Sequence, residues 1–135
     1  MSSTQVIASN PSWQNGPTVA AGQSVTLTLS AQGNGQPQAW GVIDPGNRGL
    51  NTAVGNGVPA GNGATAPGFQ EGALIVKDGA SQFHTFPSPI GSLTIGTPGQ
   101  VSFMANDYGD PGQVIQFGFH GARFTDNTGQ MVVDW

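Results

Sequence analysis

The chain contains no cysteine. This removes disulfides, zinc–thiolate centres and thiol nucleophiles, and it leaves the redox compartment undetermined, because cysteine-free proteins persist in either. Charge is almost as scarce: 7% of residues are charged, where roughly a quarter is usual. Arg48, Lys77 and Arg123 are the whole basic supply and the net charge is -4. No nucleic-acid partner is expected, since phosphate binding takes several Lys or Arg on one face.

Glu71 is the single glutamate, so the two facing carboxylates of a glycoside hydrolase are hard to assemble. Asp110, close to Asp107, reads equally as a turn residue or as an extra ligand to a cation. Neither a Gly-x-Ser-x-Gly elbow nor a His-x-x-x-His spacing occurs. His84 and His120 sit among Phe residues and read as hydrogen-bonded packing residues. The protein is expected not to be an enzyme.

No apolar run reaches eighteen residues, and the start, Met-Ser-Ser-Thr-Gln-Val, has neither a basic region nor an apolar one. Membrane insertion is not expected, nor is a classical export signal within these residues. The protein is expected in the cytoplasm, or outside the cell by way of a removed leader or another route.

Glycine and proline are abundant, at 22 and 10 of 135 residues. That composition, with apolar runs of a few residues each, implies short strands and many turns. The length suits one compact domain, residues 1–135, with a real hydrophobic core. Strict alternation in Ser24-Val25-Thr26-Leu27-Thr28-Leu29-Ser30 places Val25, Leu27 and Leu29 on a buried face and the threonines opposite. Further strands are expected at Val6–Ala8, Ala39–Ile43, Leu93–Ile95, Val101–Ala105, Val114–Phe119 and Gln130–Val133.

Ala73-Leu74-Ile75-Val76-Lys77 is continuously apolar up to its lysine and suits a strand buried on both faces. The stretch from Ser9 to Pro17 reads as turns. Leu50 to Gly68 has no periodicity; it is either a functional flap over one end of the fold or low-complexity filler around its two Gly-Asn-Gly repeats. Trp40 reads as a core aromatic or as a platform for a sugar ring, and Trp13 and Trp135 as packing or subunit contacts. With no helical period anywhere, the fold class is all-β, a small β-sandwich or jelly roll.

Two acidic-amide pairs, Asn106-Asp107 and Asp126-Asn127, stand out near the end of the chain. Asp and Asn offer oxygens on short, stiff side chains, and a hard cation such as calcium takes six to eight oxygens from side chains, backbone and water. The same residue types are favoured in ordinary turns, where they bond the backbone two residues on. Local chemistry leaves both readings standing.

The order of motifs resembles a known family. Ala21-Gly22-Gln23-Ser24-Val25-Thr26-Leu27, then Gly35 and Trp40-Gly41, Gly49-Leu50, Gly72 to Lys77, Gly99 to Asp107 and Asp126-Asn127-Thr128-Gly129 are similar to the LecA-like, calcium-dependent galactose-binding lectins of bacteria. The likeness runs from Val6 to Val133. It implies a small jelly-roll, galactose-binding-domain-like sandwich, assembled as a homo-oligomer (dimer or tetramer), in which one Ca2+ bridges protein and sugar hydroxyls.

Carried over residue by residue, the resemblance makes Asp107, Asp126 and Asn127 side-chain ligands of calcium, with Asn34 and Arg123 contributing backbone carbonyls. It assigns sugar contacts to Asp107 and Asp126, with Tyr108 beside them. The family's pair usually begins with Asn, so Asp126 adds negative charge and strengthens cation binding. Two departures bear on the sugar. Tyr108 to Gly121 is an insertion that either extends away from the site or rebuilds its pocket. The family's His-Pro-x-Gln is replaced by Pro45-Gly46-Asn47-Arg48, which makes Asn47 and Arg48 the substitutes at the hydroxymethyl end. The expected function is a lectin for galactose or a related hexose on glycans. The alternative is a structural or adhesion sandwich in which calcium, if bound, only orders loops.

Overall fold

The computed structural model describes residues 1–42, 49–108, 124 and 127–135. Among these the protein is all-β, with no α-helix. The strands are β1 (Ser3–Ile7), β2 (Gln14–Val19), β3 (Val25–Leu29), β4 (Trp40–Gly41), β5 (Leu50–Asn51), β6 (Leu74–Lys77), β7 (Phe83–Thr85), β8 (Gly91–Ile95), β9 (Gly99–Ala105) and β10 (Gln130–Asp134). They form two four-stranded antiparallel sheets, in the orders β1-β10-β3-β8 and β2-β9-β6-β7, and a small β4-β5 ribbon.

The two sheets share one core. Val6, Leu27, Leu29, Met131 and Val133 enter it from the first sheet, and Val19, Leu74, Val76, Val101 and Phe103 from the second. This is a β-sandwich, held by the inward residues of both sheets. Each fully buried Val, Leu, Ile or Phe contributes about 1.5–3 kcal/mol relative to exposure. Strand β3 follows its alternation: Leu27 and Leu29 are buried, Val25 packs half-buried at the rim, and Thr26 faces solvent. There Thr26 meets Thr94 of β8 at 3.1 Å, oxygen to oxygen.

Strand β6 is buried on both faces, as its composition implies. Leu74 and Val76 belong to the central core, while Ala73 and Ile75 join Ala66 in a second cluster against Trp13, Phe69 and Phe83. Trp13 stacks on Phe83 with centroids 5.7 Å apart, and the Lys77 ammonium lies 4.4 Å from the Trp13 centroid. Trp40 is a core residue, 1% exposed.

The structure corrects several boundaries. Gln14–Val19 is a strand, although turns were expected up to Pro17. Pro17 is tolerated there because β2 is an edge strand, and its register shifts between Asn15 and Thr18, the kind of irregularity at which a missing N–H costs no ladder bond. Strand β7, also an edge, is too short to carry a period. Of Ala39–Ile43 only Trp40–Gly41 is strand, and Ile43 lies outside the described residues, as does Val114–Phe119.

Among the described residues no helix is long and apolar enough to cross a membrane. The segment from Leu50 to Gly68 is neither helix nor extended strand beyond β5, yet it is packed. Ala53, Ala60, Ala64 and Ala66 are buried in it. Backbone bonds fold it on the residues that follow, with Ala60 N–H donating to Phe69 O at 2.7 Å and Glu71 N–H to Val58 O at 2.8 Å.

Candidate functional site

Register decides which of the acidic-amide residues meet. Ile7 at the end of β1 lies opposite Gln130, the first residue of β10, and Gln14 at the start of β2 lies opposite Phe103 of β9. Ile7 and Gln14 are joined directly, the Ile7 N–H donating to Gln14 Oε1 at 2.7 Å and Gln14 Nε2 donating to Ile7 O at 3.3 Å. The residues that follow β9 and those that precede β10 therefore emerge at the same end of the sandwich, one from each sheet. Asp107 and Asn127 are brought to that end together.

A short lattice of buried bonds holds this end. Gly41 pairs with Thr128 through both backbone groups at 2.8 Å, the Trp40 indole N–H donates to Gly72 O at 2.8 Å, and Gly72 N–H donates to Asn106 O at 2.9 Å. The β4 strand thus links the start of β10 to the end of β9. Asn127 is fixed from two sides: its backbone N–H donates to Phe124 O at 3.1 Å and its Nδ2 to Ala8 O at 3.0 Å. Bonding the amide nitrogen to Ala8 sets its carbonyl oxygen on the opposite side of the amide group.

Asp107 is 1% exposed. Its Oδ1 accepts the Tyr108 N–H at 2.7 Å, and its backbone oxygen accepts the N–H and hydroxyl of Thr65 at 2.9 and 3.2 Å. A buried carboxylate is costly without donors or a cation, and the Tyr108 amide is one such donor. Among the described residues no group of three or more His, Cys, Asp or Glu gathers as a metal site. The two residues brought to this end, one with a carboxylate and one with an amide oxygen, have the hardness that calcium prefers, and a calcium shell would have to be completed by backbone carbonyls and water.

The first member of the pair behaves differently. Asn106 is fully buried, and its side chain is a staple for the 60s loop. Its Oδ1 accepts the Ala66 N–H at 2.9 Å, while Nδ2 donates to the carbonyls of Ala66, Phe69 and Gln70 at 3.2, 3.2 and 2.9 Å. Asn106 therefore positions Asp107 and does not offer its amide as a ligand.

Of the other expected site residues, Asn34 and Tyr108 are described. Asn34 is exposed in a tight turn, where its Oδ1 accepts the Gln36 N–H at 3.0 Å, and the contacts described for it are local. Tyr108 is buried; its hydroxyl accepts the Gly61 N–H at 2.8 Å and lies 3.5 Å from Glu71 Oε1. Asn47, Arg48, Arg123 and Asp126 lie outside the described residues, as do Asp110 and His120. His84 is a packing and pairing residue, its Nε2 2.8 Å from Asp78 Oδ2.

Sequence reasoning missed the role of Glu71. The only glutamate of the chain is buried beneath the loop, with Oε2 accepting the Asn56 amide at 3.2 Å and Oε1 facing Tyr108. Nothing in its neighbours, Gln70 and Gly72, signals burial. It becomes buried because the loop from Asn56 to Gly61 folds over it.

No protein-family model matches the chain, and a search of curated proteins finds no relative. The class that the fold defines is therefore the all-β sandwich itself, and the functional reading rests on the end of the sandwich described above.

Proposed function

We propose that the protein is a calcium-dependent lectin, a non-catalytic carbohydrate-binding sandwich for galactose or a related hexose. The observation that supports this most is the convergence of Asp107 and Asn127 at one end, each buried and each oriented by backbone bonds. In this reading Asp107 binds Ca2+ and accepts a sugar hydroxyl, and Asn127 supplies its amide oxygen. Asp126 and the carbonyls of Asn34 and Arg123 complete the shell, and Asn47, Arg48 and Tyr108 border the sugar. The jelly-roll connectivity and galactose-binding-domain likeness belong to the same proposal.

Calcium suits this task because two vicinal hydroxyls, individually poor competitors for water, replace two metal-bound waters in fixed geometry. Single sites of this kind bind weakly; a millimolar dissociation constant is only about -4 kcal/mol. A homo-oligomer, dimer or tetramer, would turn several weak sites into useful avidity on a glycan-bearing surface.

The test is thermal unfolding of the chelated protein, followed by addition of calcium, then calcium with galactose, glucose, mannose or fucose. A ligand specific to the folded state stabilises by about 2.7 kcal/mol at a hundredfold excess over its dissociation constant. We expect calcium to raise the midpoint, one sugar to raise it further, and Asp107→Ala to remove both increments. No response to calcium would sink the proposal. A calcium response without any sugar response would favour the second reading, a structural or adhesion module, which is itself supported by the investment of Asn106, Tyr108 and Glu71 in ordering the loop.

A further inference from the structure

A cleft of about 380 Å3 opens beside the end of β7, walled by Phe69, Gln70, Thr85, Phe86 and Pro87. It lies within the range of small-molecule sites, roughly 300–1,000 Å3. None of the residues lining it is ionisable, so the ligand it suits carries no formal charge.

Its wall is built in advance. The carbonyls of Phe69 and Gln70 are both held by the Asn106 amide, at 3.2 and 2.9 Å, and Gln70 Oε1 is fixed by the Gly57 N–H at 2.8 Å. With its oxygen engaged, the Gln70 amide turns its nitrogen elsewhere. Among the described residues neither that nitrogen nor the Thr85 hydroxyl has a protein partner. Phe69 is half-buried, packed edge-on with Phe83 at 6.4 Å and 80°. The residues that line the cleft therefore include aromatic side chains, an amide whose nitrogen is uncommitted and a donor-acceptor hydroxyl.

Two neutral ligand types match such a surface: an extended peptide added to the edge strand, or a compact polyhydroxylated ring. The peptide is disfavoured by the edge itself. Strand β7 has three residues and is followed by Pro87 and Pro89, and short edges punctuated by proline resist strand addition. A pyranose fits better, with its C–H face on the aromatic ring and its hydroxyls on Gln70 and Thr85.

We infer that this cleft is a second, calcium-independent subsite for one neutral pyranose unit of a glycan. The choice of a sugar rests on the lectin reading, but the subsite uses none of the residues assigned to calcium. Because Asn106 holds the cleft wall and directly precedes Asp107, the two subsites share one rigid support.

The experiment is a 1H–15N correlation titration of the full chain in EDTA, using the methyl glycosides of galactose, glucose, mannose and N-acetylglucosamine. Saturable shifts are expected at the amides of Gly68, Gln70 and Thr85 for at least one glycoside, and they should be retained in Asp107→Ala. Thr85→Val keeps the shape and removes the hydroxyl, and Gln70→Ala removes the amide. Each should weaken binding about three- to tenfold, the value of one net hydrogen bond. Thr85→Val also serves as the well-folded variant if Gln70→Ala loosens the loop.

Absence of shifts with every glycoside would overturn the inference, as would shifts indifferent to both substitutions. Sugar binding that appears only with calcium would overturn the subsite and leave the lectin reading intact. Binding in EDTA with no calcium effect of any kind would uphold the subsite and remove the calcium site. Perturbation of the same amides by a neutral peptide, with no response to sugars, would replace the sugar with a peptide.

Discussion

Replacing Asn106 tests whether the end of the sandwich is organised as described. Its side chain satisfies one N–H and three carbonyls, all on residues 66–70, from a position with no solvent exposure. Asn106→Ala removes four contacts from a site that water does not readily reach. At a net ~1 kcal/mol per hydrogen bond, and more for each group left unsatisfied, the loss is about 3–5 kcal/mol. Against a total stability of roughly 5–15 kcal/mol, that is a large fraction. The corresponding fall in Tm is about 10–15 °C for a domain of this size.

The assay is urea or thermal unfolding followed by tryptophan fluorescence, with EDTA present throughout. Asn106→Asp sharpens the test, because it exchanges the donating nitrogen for an oxygen that faces three carbonyl oxygens. The introduced carboxyl would be pushed above its ordinary range in the folded state. Its penalty is absent while both folded and unfolded forms are protonated, and it grows as pH rises through the unfolded carboxylate value, near 3.9. The variant should therefore approach the wild type in acid and fall away from it toward neutrality. A loss under about 0.5 kcal/mol for Asn106→Ala, within the range of ordinary surface changes, would refute the staple.

Two further predictions follow from the opposite side of the molecule. Gly79, in the turn after β6, packs backbone against backbone on the turn before β9: a Cβ there would fall 1.9 Å from Pro98 O and 2.6 Å from Gly99 Cα. Gly79→Ala should cost about 1–3 kcal/mol or more through overpacking, seen as a lower urea midpoint; an unchanged midpoint would mean the two turns separate freely. Asp78 is buried, which opposes its ionisation, but the His84 hydrogen bond and the N–H groups of Gln82 and Ala80 outweigh burial and hold its pKa below the ordinary carboxylate value. Its contribution is present above the unfolded pKa and is lost as pH falls through the folded one. Asp78→Asn should thus be less stable than wild type at neutral pH, with the difference shrinking in acid; a pH-independent difference would contradict that origin.

How much was legible depended on whether a residue's role is local. The alternation of β3 and the apolar run of β6 announce one-faced and two-faced burial, because a strand's side chains alternate with period two and each face needs its own partner. Strands β2 and β7 were illegible because edge strands tolerate Pro17 and need only one neighbour, so their composition does not distinguish them from turns. At the candidate site, Asp107 and Asn127 were visible as residue types. Asn106 looked like an equal member of its pair, and only its four bonds to residues 66–70 separate a staple from a ligand. Glu71 and Tyr108 carried no signal of burial, since the loop that covers them is itself aperiodic.

The sequence by itself determined the class: little charge, no cysteine, frequent glycine and proline, and short alternating runs specify an all-β domain. Those are properties of composition and of local period, which the backbone translates directly into strands and turns. Tertiary structure alone decided which oxygens share one end of the sandwich, which amides are consumed by the loop, and where an uncharged cleft opens beside β7. These depend on the register of β1 with β10 and of β2 with β9, long-range pairings whose partners lie up to nearly the whole chain apart, as Ser3 and Asp134 do, and leave no mark on the residues around them.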